Sequence, residues 1–287
     1  MTRRTSRRAF LREGLAAGAG LLAARSALAA DAEEPRMHIG LVTYMVGAKM
    51  DLPTLIKACE DSGMEGVELR STHKHGVEPS LDAEARAKVR EQFAKTKVKL
   101  VGLGSACEYH SPDPKVVKRN IELTNRFVQL AADLGAWGVK IRPNRILKDV
   151  PEDKTLRQIA GAIRECAQFA ADKKIMLFVE CHGRGTSEPA RMAKIMEHCD
   201  HPSACLCWNC NGIDVKNGSI RETFGLCQRW VRHIHIHDLS QGYPYAELFG
   251  MLKAMKFTGY TMNEAHCKGD PIAYLKEQRA LWEKLAL

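Results

Sequence analysis

Eight short apolar runs punctuate this chain, at residues 38–44, 66–70, 97–105, 138–142, 175–180, 204–209, 231–237 and 259–264. Each is followed by a segment with helical periodicity. Short, nearly continuous apolar runs read as strands buried on both faces. Strands that alternate with helices pair in parallel, because each helix carries the chain back to the starting edge of the sheet. Eight such units without a long linker predict one α/β domain, a closed (β/α)8 barrel. The helices are expected over 51–62, 81–95, 113–134, 151–173, 188–199, 220–230, 245–255 and 271–285. Asp51, Ser80, Ser187, Ser219 and Asp270 stand where N-caps belong, and Gly135 stands where a helix should stop.

The first 29 residues read as an address rather than a fold. Ser6-Arg7-Arg8-Ala9-Phe10-Leu11 resembles a twin-arginine export motif, an apolar stretch covers 14–24, and Ala27-Leu28-Ala29 offers a small-x-small cleavage site. The apolar core is too short to span a bilayer, which takes about 20 residues. The expected organisation is a signal peptide over 1–29 and one barrel over 30–287, exported to the periplasm, with no stable membrane insertion after cleavage. The leader holds six arginines against one acid, so its removal lowers the formal charge of +9 by five, to +4. That balance argues against a nucleic-acid partner.

Ten cysteines in an exported chain invite disulfides. Twin-arginine cargo folds in the reducing cytosol, however, and the Cys205-x-Cys207-x-x-Cys210 spacing lacks the paired pattern of a zinc site. Buried free thiols are the expectation.

The strand ends carry the chemistry. Glu180, Asn209, His235 and Glu264 close four successive runs, and in a parallel barrel all four reach the C-terminal mouth, where such barrels keep their active sites. Two carboxylates, an imidazole and an amide oxygen suit a hard or borderline divalent metal. The bland reading of Glu180 is a salt bridge, to Arg70 or Arg142. Side chains alternate along a strand, so His182 shares the direction of Glu180, and His233, His235 and His237 share one face. Lys140 and Arg142 share a face of the fourth strand. They and Arg70 are read either as contacts for a sugar or as ion partners of Glu68 and the site carboxylates. No glycine-rich phosphate cradle is present, and Gln241-Gly242-Tyr243-Pro244-Tyr245 is expected to cover the substrate.

The order of a strand-5 glutamate, a strand-6 aspartate, a strand-7 His-x-(Lys or His)-Asp and a strand-8 glutamate marks the xylose isomerase-like family of sugar isomerases and epimerases, metal-dependent barrels related in fold to endonuclease IV, and the chain resembles it at all of these but strand 6. The resemblance implies that Glu180, His235 and Glu264 are metal ligands. It also implies that Arg70, His182 and His237 are substrate contacts. One element departs from the pattern. The family's strand-6 Asp-x-x-His is here Asn209-Cys210-Asn211-Gly212, so the protein's ligand charge falls from −3 to −2.

The expected cofactor is a divalent ion (Mn, Mg, Co or Zn) that polarises a carbonyl of a small sugar substrate. Glu180 and Glu264 are expected as the acid/base pair that moves the adjacent proton. Returning the proton elsewhere gives epimerisation or isomerisation, and expelling a β-substituent from a 3-keto-glycoside gives elimination. Two other classes compete: a carbohydrate-binding barrel that has lost its metal, favoured by Asn209 and Gly212, and an abasic-site nuclease, disfavoured by export and modest charge.

Overall fold

The computed structural model of the chain describes residues 36–287. The leader assigned to residues 1–29 lies outside the described residues. Residues Met37–Leu287 form one unit.

Eight parallel strands close into a barrel in which every strand pairs with its neighbours in sequence: β1 (His38–Val42), β2 (Gly66–Arg70), β3 (Lys99–Glu108), β4 (Gly138–Arg142), β5 (Met176–Glu180), β6 (Ala204–Asn209), β7 (Val231–Ile236) and β8 (Tyr260–Asn263). Pairing of His38 with Tyr260 and of Leu41 with Asn263 closes the ring. The surrounding helices are α1 (Leu52–Ser62), α2 (Ala83–Ala94), α3 (Pro114–Leu134), α4 (Glu152–Asp172), α5 (Pro189–Cys199), α6 (Arg221–Cys227), α7 (Tyr245–Ala254) and α8 (Pro271–Ala286).

Local chemistry sets these boundaries. Asp51, Asp113 and Asp270 cap α1, α3 and α8 through their side chains, each ahead of an early proline that needs no N–H partner. Gly63 and Gly135 end α1 and α3 in the left-handed conformation. Three expected starts move, and in α6 the N-cap is Ile220 rather than Ser219. Asp82, not Ser80, caps α2, because its Oδ1 accepts the Ala85 N–H at 2.8 Å. Glu188 stands at the N-cap of α5 in place of Ser187, so that Pro189 falls in the first turn. The segment 220–230 is broken, with a 3-10 turn, Gln228–Trp230, following α6. β3 runs on to Glu108 through an irregularity after Gly104.

The main core lies between the outer faces of the strands and the helices. Trp282 fastens α8 to β8: it is fully buried, and its Nε1 donates to Thr261 Oγ1 at 2.7 Å. Inside the barrel, small residues make room for large ones. A Cβ at Gly138 would lie 2.3 Å from the Phe178 ring, so β4 can pass the aromatic ring only as glycine. All ten cysteines are free thiols, nine of them buried, as expected. Cys205 and Cys207 pack with Phe178, and burial pushes the Cys207 thiol up to about 11. No helix among the described residues is long and apolar enough to cross a membrane.

Candidate active site

A cavity of about 830 Å³ opens at the C-terminal mouth of the barrel. Arg70, Lys140, Arg142, Glu180, His182, Asn209, His237 and Glu264 all line it. His235 lies beneath them with no exposure. Register explains the meeting. Asn209 pairs with His235 across β6 and β7, and the Glu264 N–H, one residue past β8, donates to Ile236 O at 2.8 Å. One oxygen each of Glu180 and Glu264 and one nitrogen of His235 fall within 4.8 Å of one another.

The hydrogen bonds give each group a distinct state. Lys140 Nζ donates to Glu180 Oε2 at 2.8 Å, and Asn209 Nδ2 donates to Glu180 Oε1 at 3.0 Å. Burial opposes the charge of Glu180, but the ammonium of Lys140 and the His235 ring outweigh it and hold this carboxyl well below the usual range. Burial works against Lys140 too, and the surrounding glutamates, Glu180 first, more than reverse it. His235 Nδ1 lies 3.1 Å from Glu264 Oε2 and 3.8 Å from Glu180 Oε1. Its other nitrogen lies 3.3 Å from Glu68 Oε2. Burial would discharge this ring, yet the carboxylates of Glu264 and Glu68 on its two edges raise its pKa above the ordinary histidine value. Glu264 differs from Glu180 in having one oxygen, Oε1, with no hydrogen bond from the described residues.

Several expectations take a different form. The bland salt bridge of Glu180 is made by Lys140, not by Arg70 or Arg142: Lys140 stands on the adjacent strand opposite Phe178, on the face that Glu180 shares, whereas Arg142, two residues further on, is taken by Glu108. Arg142 pairs with Glu108, Nη2 to Oε1 at 2.6 Å, where β3 runs beside β4. Glu68 takes neither cation and accepts from histidines. Arg70 is held by Ser71, to whose carbonyl and hydroxyl oxygens Nη1 donates at 3.0 and 2.9 Å. Asn209 turns its nitrogen to Glu180 and its Oδ1 to His237 Nε2, 3.0 Å away.

The loop 241–245 does not cover the cavity with its tyrosines. Tyr243 turns inward, accepting from Trp208 Nε1 at 3.0 Å, and Tyr245 accepts from the His237 N–H at 3.0 Å. Buried phenols need such partners. Gln241 from this loop lines the cavity, with Tyr44 and Tyr274 from elsewhere.

A small feature at the mouth had no counterpart in the sequence reading. Two-residue strands, Asn144–Arg145 and Gly183–Arg184, pair in parallel just beyond β4 and β5. They bring the Asn144 side chain to His182, with Nδ1 and Oδ1 2.8 Å apart. Only glycine serves at 183: its φ is +97° and a Cβ would lie 2.0 Å from Asn144 O. Burial lowers the pKa values of His182 and His237. Both rings are therefore neutral at pH 7 and able to donate or accept.

The donor set suits a divalent metal. Two carboxylates and an imidazole approach one point from β5, β7 and the end of β8, a mixed O/N set of the kind that holds Mn, Co or Zn with positions left for a ligand. The set fits. The amide oxygen of Asn209 joins it only if the amide turns over, which leaves Nδ2 to donate to His237.

The family model described as xylose isomerase-like TIM barrel matches residues 56–285. Among solved structures, the 3-keto-D-glucoside 4-epimerase of E. coli superposes with a TM-score of 0.73 at 13% identity, over 87% of this chain and 100% of that one. The D-allulose 3-epimerase of Methylomonas sp. gives 0.72 at 14%, over 88% and 99%. A D-psicose 3-epimerase gives 0.73 at 16%, over 87% and 99%. At these identities the likeness is one of fold. No curated protein matches the sequence.

Proposed function

The chain belongs to the xylose isomerase-like TIM barrel family, and on that footing we propose a metal-dependent isomerase or epimerase of a sugar or keto-sugar. The observation that carries this reading is the meeting of Glu180, His235 and Glu264 at the floor of the mouth cavity. Glu180, His235 and Glu264 would hold a divalent ion there, whose part is to polarise a bound carbonyl and make the neighbouring C–H acidic.

The two glutamates are not equivalent in this scheme. Both oxygens of Glu180 are engaged by Lys140 and Asn209. The freer oxygen of Glu264 takes the α-proton, and the proton returned on the opposite side comes from the Lys140 ammonium, relayed through the ionised Glu180 to which it donates. Returning the proton to the other face of the same carbon gives an epimer. Returning it to the neighbouring carbon gives an isomer. Arg70, Arg142, His182 and His237 face the space where the remaining hydroxyls would lie. Loss of a β-substituent from a 3-keto-glycoside shares the first step, so a lyase is the nearest alternative.

One observation favours a different class. Lys140 already balances the charge of Glu180, and Asn209 adds none, so the site is electrically tolerable as a metal-free sugar-binding pocket. The deciding experiment incubates the metal-loaded chain with ketohexoses and 3-keto-glycosides and follows them by carbon NMR. A new epimer, isomer or elimination product supports the enzyme. An unchanged panel, bound by the chain, supports the pocket.

A further inference from the structure

Glu68 lies on β2, two strands round the barrel from the end of β8, and has no exposure. Its Oε2 is 2.9 Å from His233 Nε2 and 3.3 Å from His235 Nε2. An ionised carboxylate only accepts, so both of these nitrogens carry their protons. For His235 this fixes one edge of the ring: Nε2 donates to Glu68, and Nδ1 is the edge that faces Glu264 and Glu180. We infer that Glu68 is a positioning residue, which aims His235 Nδ1 into the candidate metal site by holding the opposite edge of the ring. The inference rests on the metal-dependent reading given above.

Three further observations support it. The support is built from several elements: a Cβ at Gly104 on β3 would lie 2.9 Å from Glu68 Oε1, so that glycine leaves the carboxylate its space. The second imidazole is itself fixed, since His233 stacks on Phe178 with centroids 4.2 Å apart and planes 10° from parallel. And Glu68 is poor as a mere core residue. Its Oε1 makes no hydrogen bond, and a buried polar atom without a partner costs about 1–3 kcal/mol. An apolar side chain would avoid that orphan oxygen, but it would leave the buried His233 and His235 Nε2–H groups unpaired and could not orient an imidazole. Carboxylates behind metal-bound histidines do so in many proteins, and their loss typically weakens metal binding.

Glu68→Gln keeps the size and removes the charge. Calorimetric titration of the full chain with manganese(II) is expected to show affinity about 10- to 100-fold weaker in this variant than in the wild type. Nitrogen-15 NMR of the histidines without metal is expected to show the His235 Nε2–H signal shifted or lost. Equal manganese affinity with an unchanged Nε2 signal overturns the inference, whatever happens to the melting temperature. A wild type that takes up no manganese contradicts the metal-dependent reading, and the NMR arm then decides the role of Glu68 alone. If Glu68→Gln does not fold, Glu68→Asp keeps the charge but withdraws it from the ring. An affinity between those limits supports the role, and wild-type affinity overturns it.

Discussion

Lys140 and Glu180 form a wholly buried ion pair across adjacent strands, with Nζ 2.8 Å from Oε2 and the two side chains 4% and 2% exposed. The pair keeps Glu180 ionised in a place where a lone carboxylate would be strongly disfavoured. It also sets a competition, since a divalent ion drawn to Glu180 approaches a carboxylate that already has a cation. The chain therefore has an internal counter-charge in the same site where Asn209 withholds a negative one.

Breaking that pair from the lysine side exposes its cost. Lys140→Met leaves Glu180 buried without its partner, and such a loss is expected to destabilise the fold by about 3–5 kcal/mol. The double variant with Glu180→Gln should recover much of it. Urea denaturation in chelator checks both. Manganese(II) should stabilise Lys140→Met more than the wild type, because the ion supplies the missing charge. A denaturation midpoint that Lys140→Met does not move contradicts this account of the pair.

Asn209→Asp tests the ligand expectation. The added carboxylate would lie next to Glu180 and be repelled by it unless a cation stands between them. Calorimetry should find manganese bound more tightly by about tenfold or more, and the metal-free variant should melt lower. Unchanged affinity would place Asn209 outside the ligand set, as a brace between Glu180 and His237.

Much of this was legible in the sequence. The eight strand–helix units, and the gathering of Glu180, Asn209, His235 and Glu264 at one face, follow from periodicity and from the rule that parallel strands end together. Pairing between side chains was not legible. Whether Glu180 meets Lys140 or Arg70, and whether Arg142 meets Glu68 or Glu108, depends on stagger between neighbouring strands, which the hydrophobic pattern does not encode. Glu68 looked like an ordinary partner for those cations because its histidines are more than 160 residues away in sequence. The tyrosines of the 241–245 loop read as a cover because their buried partners, Trp208 and the His237 N–H, are likewise set only by the fold.

Asp214 gives a pH signature. It is 1% exposed, and burial pushes its carboxyl up to about 7, against the opposing effect of the Asn211 N–H at 2.8 Å. An acid with a raised folded pKa binds its proton more tightly in the folded state. Its contribution is therefore full below the unfolded value near 4 and is lost as pH rises through about 7. The loss is on the order of 4 kcal/mol at most. Asp214→Asn should remove this fall and should be more stable than the wild type at pH 8, as judged by urea midpoints across pH 4–8. Parallel profiles for the two proteins would contradict it.

The proposed twin-arginine export has its own test. Arg7→Lys combined with Arg8→Lys should leave the precursor in the cytoplasm. Mature chain appearing normally in a periplasmic fraction would remove the assignment.

Exchange of the substrate α-proton with deuterated water tests the central claim most directly, because epimerase, isomerase and lyase all begin with that step. The metal-loaded wild type should exchange the proton next to the carbonyl of at least one keto sugar or 3-keto-glycoside. Glu264→Gln should slow the exchange by about 10²–10⁴-fold, the usual contribution of a general base. Absence of exchange across the panel, or exchange at the wild-type rate in Glu264→Gln and Glu180→Gln alike, would contradict the assignment of this site.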